Sequence, residues 1–285
     1  MRNCSRGSTA PTHTAVPDSR LDAALGERGL ARSRTHAAKL IADGLVTVNG
    51  VAQVKPSFRV SEDAVVVVAG TDHYVSRAAH KLVAALDAFA ITPAGRVALD
   101  AGASTGGFSQ VLLERGASRI LAIDVGHGQL ASEIQENGAV ISVEGFNIRD
   151  LTRNWVLEQL ETPEFSTVQP ALPTLVVADL SFIGLGLVLE PLRDSVDVDA
   201  DFVLLVKPQF EVGRGGIREG IVRDNGLRQD AVTNILWAAW DLGLGTSGIE
   251  PSPIAGSAGN REYLVWLRRS GKNPTEWISA VSALV

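Results

Sequence analysis

A glycine-rich segment followed by a distant acidic residue is the part of the sequence best suited to bind a small molecule. Residues 100–108, DAGASTGGF, follow the apolar run VALD and precede a helical pattern. Glycines there let the backbone approach a ligand closely, and a helix N-terminus favours polar or negative groups. Asp124 ends the next apolar run, 24 residues after Asp100, where α/β folds place a carboxylate on a ribose. An ordinary glycine turn beside an exposed aspartate is the alternative, but the combination predicts a cofactor site made of Asp100, Gly102, Ala103, Ser104, Thr105, Gly106, Gly107, Phe108 and Asp124.

Strands and helices must present those residues, and the sequence predicts where they lie. Over residues 77–270, short apolar runs such as RVALD, RILAID, TLVVADL and DFVLLVKP alternate with stretches of helical periodicity. This alternation indicates a mostly parallel sheet flanked by helices, which is the α/β class. A helix over 77–90 is expected to open this domain, and residues 271–285 are expected to form a helical C-terminal extension.

Residues 18–70 predict a smaller α+β domain. Ser19 and Ser33 are placed to cap helices over 20–28 and 34–43, each followed by a glycine stop. A strand is predicted before Asn49-Gly50, which is a strong hairpin-turn signal, and VVVVAG predicts a closing strand. Residues 1–17 are expected to be a disordered tail, and residues 71–76 a linker.

The charge distribution indicates a nucleic-acid partner for the smaller domain. The net charge is −6, but residues 1–60 carry nine Arg and Lys against four acids, which gives +5 there and −11 for the remainder. A basic head on an acidic body suggests that the head faces phosphates, although such a cluster is often only a solvated surface. A Gly/Arg-rich loop over 212–224 is either ordered by RNA or flexible. The candidate RNA-binding residues are Arg28, Arg32, Arg34, Lys39, Lys55, Arg214 and Arg218.

Composition excludes several classes of protein. Cys4 is the one cysteine of the chain, so neither a disulfide nor a cysteine-based metal site forms within it. The five histidines show no ligand spacing, and no metal is expected. The longest apolar stretch, 180–189, is too short to span a bilayer, and the first residues lack the apolar core of a secretory signal. We therefore expect a cytoplasmic protein without a membrane partner.

Several sequence motifs carry a family resemblance. The pattern D-x-G-A-S-T-G-G-F differs from a nicotinamide GxGxxG and resembles the cofactor loop of class I methyltransferases of the FtsJ type. SRAAHKL, ADLSF, LLVKPQF and GNREYLVWL resemble further motifs of that family, in the same order. With the N-terminal domain added, residues 20–269 resemble the TlyA family, in which an S4-type RNA-binding domain precedes an FtsJ-like domain. Ala78-Ala79 stand where a Gly pair is usual in TlyA, and match the FtsJ form.

The resemblance implies an activity and assigns roles to residues. It implies S-adenosylmethionine as cofactor, ribosomal RNA or ribosomal subunits as partner, and methylation of a ribose 2′-hydroxyl, of cytidine in the small or large subunit or both. Asn147 and Asp179 join the cofactor-binding residues. The catalytic residues are expected to be Lys81, Asp179, Lys207 and Glu262.

The chemistry explains why such a tetrad is needed. A ribose hydroxyl is a poor nucleophile and must lose its proton as it attacks the methyl group. A lysine accepts that proton only as a neutral amine, and we expect crowding by Lys81 in a partly desolvated pocket to favour the neutral form of Lys207. Asp179 and Glu262 would hold the two lysines. Alignment of the reacting atoms supplies most of the remaining rate.

Two other functions are compatible with parts of the sequence. One is a non-enzymatic RNA-binding or ribosome-assembly factor with a degenerate methyltransferase domain, against which the complete glycine loop and tetrad argue. The other is a membrane-active haemolysin, a name that the TlyA family has also carried. The sequence does not decide the nucleotide, the ribosomal subunit or the oligomeric state.

Overall fold

The computed structural model describes residues 19–31, 33–42, 44–68, 73–161, 171–213, 216–256 and 259–285. Backbone contacts divide the chain into two compact units, residues 1–73 and 74–285. The predicted tail over 1–17 lies outside the described residues. Residues 74–76, which the sequence assigns to the linker, belong to the second unit, where Val75 is buried and its backbone N–H donates to Gln110 Oε1 at 2.8 Å.

The first unit is a small α+β domain, as predicted. Two antiparallel sheets, one of two strands and one of three, accompany two helices. Leu21, Leu25, Ile41 and Val46 are among the side chains that form its apolar core. The elements are β1 (Ser19–Arg20), α1 (Leu21–Glu27), α2 (Arg34–Ala42), β2 (Val46–Val48), β3 (Val51–Gln53), β4 (Arg59–Val60) and β5 (Val66–Val68).

Of the two predicted helix caps, one is confirmed and one is wrong. Ser33 Oγ accepts a hydrogen bond from the backbone N–H of His36 at 3.1 Å, so it caps α2. Ser19 instead lies in β1 opposite Val60, and α1 begins without a side-chain cap. The prediction failed because β4, about 40 residues further along the chain, recruits Ser19 into a sheet, a non-local contact that a capping pattern cannot reveal.

The second unit contains the expected α/β fold. Helix α9 (Asn225–Asp241) is its longest helix among the described residues. Helix α3 (Ala79–Phe89) begins two residues later than predicted. The elements are α3 (Ala79–Phe89), β6 (Val97–Ala101), α4 (Gly107–Glu114), β7 (Arg119–Asp124), α5 (Ser132–Gln135), β8 (Val140–Glu144), α6 (Arg153–Leu160), β9 (Leu175–Ala178), α7 (Leu189–Asp194), β10 (Asp201–Val206), α8 (Pro208–Glu211), α9 (Asn225–Asp241), β11 (Gly245–Pro251), β12 (Tyr263–Arg268) and α10 (Ile278–Leu284).

The order of the seven strands places the functional residues at one edge of the sheet. The order is β11-β12-β10-β9-β6-β7-β8. Strand β12 runs antiparallel to both its neighbours, whereas β8, β7, β6, β9 and β10 are mutually parallel. The chain winds outward in two directions from the β6/β9 pair, and α/β sheets bind ligands at the carboxyl ends of the strands at such a switch point.

Alternation along the strands supplies two cores, one on each face of the sheet. Leu99 and Leu121 face one apolar cluster, whereas their neighbours Ala98 and Ile120 face the other. The strands are buried on both faces, so they read as continuous apolar runs in the sequence. Within the described part of the chain, no helix combines the length and the apolar character needed to cross a membrane.

Candidate active site

The glycine-rich segment forms a tight turn between β6 and α4. Gly102 and Gly106 have φ of +84° and +92°, which L side chains rarely adopt. Their surroundings are also closed, because a Cβ on Gly102 would lie 3.0 Å from Leu180 Cδ2 and one on Gly106 would lie 2.8 Å from Leu130 Cδ1. Both conformation and space therefore require glycine here.

Asp124, at the end of β7, holds this turn from the neighbouring strand. One of its carboxylate oxygens accepts the backbone N–H of Ser104 at 2.8 Å, and the other accepts that of Gly126 at 2.7 Å. Ser104 has φ of +47°, a strained value for a side-chain-bearing residue. The carboxylate thus fixes the backbone of the glycine turn as well as facing it. Asn147, just beyond β8, follows Phe146, whose N–H donates to the carbonyl of Asp124 at 3.1 Å.

Asp100 lies directly beneath the turn and is fully buried. Ser109 Oγ donates to its Oδ2 at 2.7 Å, whereas Oδ1 has no hydrogen-bond partner among the described residues. Burial raises the pKa of this carboxyl to about 7, and the nearby negative charges of Asp179 and Asp124 add to the effect against the Ser109 hydrogen bond. A buried carboxylate with an unsatisfied oxygen is a binding feature suited to a donor or a cation.

The four residues of the predicted tetrad come together in one network. Lys81 Nζ lies 2.7 Å from Glu262 Oε2 and 3.2 Å from Asp179 Oδ2. Lys207 Nζ lies 2.7 Å from Asp179 Oδ1. All four side chains are at least 87 % buried, and Asp179 is the most exposed of them. Two ammonium groups and two carboxylates give a network of zero formal charge.

Sheet topology explains this convergence. Asp179 follows β9 and Lys207 follows β10, so two adjacent parallel strands end with them at the same edge. Glu262 precedes β12, which is antiparallel, so its starting end lies at that edge too, with Tyr263 opposite Val206. Helix α3 brings Lys81 to the same place.

The network differs in one respect from the expectation of two crowded lysines. Each oxygen of the Asp179 carboxylate faces a different lysine, so the carboxylate separates the two positive charges. Lys207 Nζ also donates to Ser181 Oγ at 2.8 Å. The negative charge of the Asp179 carboxylate therefore offsets the mutual repulsion of the two lysines.

Both units of the chain match known protein families. The profile described as FtsJ-like methyltransferase matches residues 74–269, and that of the S4 domain matches residues 19–66. The chain is 48 % identical over 252 residues to the 16S/23S rRNA (cytidine-2′-O)-methyltransferase TlyA of Mycobacterium tuberculosis, which covers 87 % of this chain and 89 % of the relative. The chain belongs to the TlyA family of FtsJ-like methyltransferases.

Other members of the TlyA family carry a different name. Hemolysin A of Brachyspira hyodysenteriae is 34 % identical over 246 residues, 86 % of this chain and 98 % of the relative. A solved structure from Streptococcus thermophilus, provisionally named a hemolysin, superposes with a TM-score of 0.72 at 33 % identity and covers 94 % of this chain and 96 % of that one. The whole two-domain organisation is therefore shared with relatives of both names.

Beside the tetrad the structure shows three residues that the sequence motifs did not single out. Ser181 contacts Lys207 as described. Phe182 is 92 % exposed with φ of +65°, an unusual backbone state for a bulky residue, and its ring centroid lies 5.5 Å from that of Phe210. The motifs ADLSF and VKPQF contain all three, but nothing in them indicates that an aromatic ring is held in solvent.

The candidate RNA-binding residues divide into three groups. Arg28 donates to the carbonyls of Ala64, Ser61 and Glu62 at 2.6–3.1 Å, so its guanidinium is used within the first unit, which argues against the predicted phosphate contact. Arg34 pairs through Nε with the buried Asp22 at 3.2 Å and remains largely exposed. The others are exposed or lie outside the described residues: Lys39, Lys55 and Arg218 are exposed, and Arg32 and Arg214 are not described.

Proposed function

We propose that this chain transfers the methyl group of S-adenosylmethionine to the 2′-hydroxyl of a ribose in ribosomal RNA. The Lys81–Asp179–Lys207–Glu262 network at the carboxyl edge of the sheet, beside the glycine turn, is the observation that carries this proposal. The name of the Mycobacterium tuberculosis relative supports cytidine as the target nucleotide. We therefore propose that the methylated nucleotide is a cytidine, and the experiment below determines which ribosomal subunit contains it.

The residues around the glycine turn fit the proposed cofactor. Asp124 ends β7 where α/β folds recognise a ribose, and Gly102 and Gly106 allow close approach of the backbone. The unsatisfied Asp100 Oδ1 suits a ligand that carries a positive charge or a hydrogen-bond donor. When bound, the cofactor supplies an activated methyl group on a positively charged sulfur. We assign Asp100, Gly102, Ala103, Ser104, Thr105, Gly106, Gly107, Phe108, Asp124, Asn147 and Asp179 to this site.

In the proposed reaction Lys207 accepts the proton of the ribose hydroxyl. Only a neutral amine can accept that proton, and Asp179 and Ser181 hold the Nζ of Lys207 in place for the transfer. With the cofactor bound, the hydroxyl oxygen would form its bond to the methyl carbon as the carbon–sulfur bond breaks, and Lys207 Nζ would take the proton. Lys207 would thereby gain the positive charge that the sulfur loses, so the total charge of the pocket would not change.

The other tetrad residues position Lys207. Asp179 holds it from one carboxylate oxygen, and Lys81 holds Asp179 from the other. Glu262 anchors Lys81 at 2.7 Å. The order of contacts makes Lys207 the end of a chain of ion pairs, so that loss of Glu262 reaches the reacting lysine through two intermediate side chains. Preorganisation of this kind lowers the barrier because the groups need not rearrange during the reaction.

Phe182 is proposed to hold the target nucleotide. An exposed aromatic ring can stack on an unpaired base, and single-stranded or splayed nucleotides are what RNA-modifying enzymes recognise. Its neighbour Ser181 contacts Lys207, so a base stacked on Phe182 places its ribose near the tetrad.

The S4 unit is proposed to dock the enzyme on ribosomal RNA through Arg32, Arg34, Lys39 and Lys55, and Arg214 and Arg218 of the second unit are proposed as further contacts. Phosphate contacts position a protein without reading sequence, so the choice of nucleotide falls to the second unit. We assign residues 18–70 to RNA docking and 77–270 to catalysis. A protein that modifies ribosomal RNA acts where ribosomes are assembled, so we propose a cytoplasmic location.

The direct test is nucleoside mass spectrometry. Small and large ribosomal subunits from a strain without this modification are incubated with the full chain and isotopically labelled cofactor, then digested to nucleosides. Labelled 2′-O-methylcytidine is the expected product, with the Lys207→Ala variant as the matched control. Label on a base, or none in either subunit, would contradict the proposal.

A further inference from the structure

The Gly/Arg-rich loop has an ordered part, which carries Arg218, one of the proposed RNA contacts. Arg218 and Ile221 exchange two backbone hydrogen bonds, at 3.0 and 2.9 Å, across a turn in which Glu219 and Gly220 have φ of +52° and +80°. This is the geometry of a two-residue hairpin turn. We call residues 216–224 the Arg218 hairpin; the exposed Arg218 lies at the start of its turn.

A buried amide binds the backbone of this hairpin, and the buried Arg228 also donates to its Val222 carbonyl through Nη1 at 2.9 Å. Asn260 is 2 % exposed, and its side chain makes two hydrogen bonds to the hairpin backbone. Its Oδ1 accepts the N–H of Val222 at 3.0 Å, and its Nδ2 donates to the carbonyl of Gly220 at 2.8 Å. A neutral amide side chain can accept one hydrogen bond and donate another at the same time. Asn260 therefore pairs with the hairpin backbone as the backbone of a neighbouring strand would.

Asn260 lies two residues before Glu262, the anchor of the tetrad. The backbone between them is packed closely: the N–H of Gly256 donates to the Asn260 carbonyl at 2.9 Å, and a Cβ on Gly256 would lie 2.4 Å from Glu262 Oε1. The N–H of Ser252 donates to the Glu262 carbonyl at 2.9 Å. The Glu262 carboxylate therefore rests on backbone whose position depends on how residue 260 is held.

We propose that Asn260 is a positioning residue for the methyl transfer, which couples the Arg218 hairpin to Glu262 and so to Lys81 and Asp179. This inference rests on the proposed function. The hairpin carries an exposed arginine on one side of Asn260, and Glu262 pairs with Lys81 on the other. RNA that orders the hairpin then favours the tetrad geometry that the reaction needs. By reciprocity, an intact tetrad favours the ordered hairpin that binds RNA.

Coupling through Asn260 and a purely structural role of this residue predict different kinetic effects. Loss of the two hydrogen bonds should lower the rate of the chemical step with little change in cofactor affinity. Among the described residues, Asp100 and Asp124 make no hydrogen bond to the hairpin or to Asn260, and the coupling reaches Asp179 only through Glu262 and Lys81. Arg218→Ala, by contrast, should raise KM for ribosomal subunits with little change in kcat. A residue that only stabilises the fold would lower the melting temperature without separating kcat from KM.

The experiment compares Asn260→Ala and Asn260→Asp with Asn273→Ala in the full chain. Asn273 is the matched control, because its Oδ1 also accepts local hydrogen bonds, from the N–H and Oγ1 of Thr275, at the start of the short 3₁₀ helix Pro274–Trp277 of the same unit. Asn260→Asp keeps the acceptor for Val222 but replaces the donor to the Gly220 carbonyl with an oxygen. The measurements are cofactor affinity by calorimetry, melting temperature, and single-turnover methyl transfer to ribosomal subunits.

Both Asn260 variants are expected to lower the single-turnover rate constant by about tenfold or more, as supporting residues of a site commonly do, with cofactor affinity within about twofold of the parent. Asn273→Ala should leave the rate unchanged. In a Glu262→Gln background, Asn260→Ala should lower the residual rate no further, because both act through the same ion pair.

Two results would overturn the inference. One is an Asn260→Ala rate equal to the parent; the other is a loss that multiplies with that of Glu262→Gln. If Asn260→Ala does not fold, Asn260→Asp decides by the same criteria. A parent protein that methylates no ribosomal RNA would refute the proposed function itself, whereas a methylating parent with unaffected Asn260 variants refutes only the coupling.

Discussion

Replacement of Asp100 by asparagine should stabilise the unliganded protein, and the gain should grow with pH. Asp100 is fully buried, its Oδ1 has no partner among the described residues, and burial raises its pKa from 3.8 to about 7. Above about pH 7 the folded protein must hold an unpaired buried charge, whereas asparagine has none to hold.

The direction follows from the protons bound in each state. Between about pH 4 and pH 7 the folded protein keeps the Asp100 proton that the unfolded chain has lost, so the free energy of unfolding of the parent falls as pH rises through this window and is level above it. The tetrad and the other titratable groups are the same in both proteins, so their contributions to the free energy of unfolding cancel in the difference. With a shift of about three units and about 1.4 kcal/mol for each, the stability difference between Asp100→Asn and the parent should increase by about 3 kcal/mol from about pH 4.5 to about pH 8.

Urea unfolding of both proteins at a series of pH values measures this difference. The cost of burying the amide itself is the same at every pH, so the low-pH points serve as the internal control. A difference that is constant with pH, or that turns against the variant at high pH, would show that Asp100 does not carry an uncompensated charge. The same variant should bind S-adenosylmethionine more weakly than the parent does, since the proposed cofactor site includes the Asp100 carboxylate.

Three further results follow from the site and the S4 unit. Asp124→Ala should weaken cofactor binding by about tenfold or more in calorimetry, about 1.4 kcal/mol, because the carboxylate both fixes the glycine turn through Ser104 and faces the ribose position; binding equal to the parent's would remove it from the site. Phe182→Ala should keep the parent melting temperature, since the ring is exposed, and should lower kcat/KM for ribosomal subunits but not cofactor affinity; an unchanged kcat/KM would exclude stacking. Charge reversal of Lys39 and Lys55 should weaken binding to many RNAs alike and reduce the salt slope of log affinity by about one for each phosphate that the variant no longer neutralises; an unchanged slope would show that these lysines do not meet phosphates.

The sequence predicts the parts of this protein that depend on local chemistry. Asn49-Gly50 forms the expected turn, with φ of +50° and +80°, because the two residues determine their own conformation. The Ser33 cap is correct for the same reason. The α/β class follows from alternating apolar runs, since buried parallel strands require them.

The arrangement of the tetrad could not be worked out from spacing. Lys81 and Asp179 are 98 positions apart, and their contact depends on how β9, β10 and β12 are ordered in the sheet. The family resemblance named the four residues, but the pairing of each Asp179 oxygen with a different lysine required the structure. The expectation of two crowded lysines left out the Asp179 carboxylate between them, because the sequence does not show what lies between two distant residues.

Surface residues were the least predictable. Arg28 and Lys39 look alike in a charge count, yet Arg28 binds three backbone carbonyls and Lys39 is exposed. Phe182 follows a buried strand closely in the sequence, yet its side chain lies in solvent. Both outcomes depend on contacts with distant segments, which neither composition nor periodicity contains.

The central claim is that Lys207 takes the proton of the attacking hydroxyl. The most direct measurement is single-turnover methyl transfer to ribosomal subunits by Lys207→Ala and the parent, with cofactor and subunit affinities measured on the same preparations. Transfer by the variant should fall by a factor of about one hundred or more, within the range for loss of a general base, while both affinities stay near those of the parent. A variant that binds both ligands and transfers the methyl group at a rate close to the parent's would contradict the account.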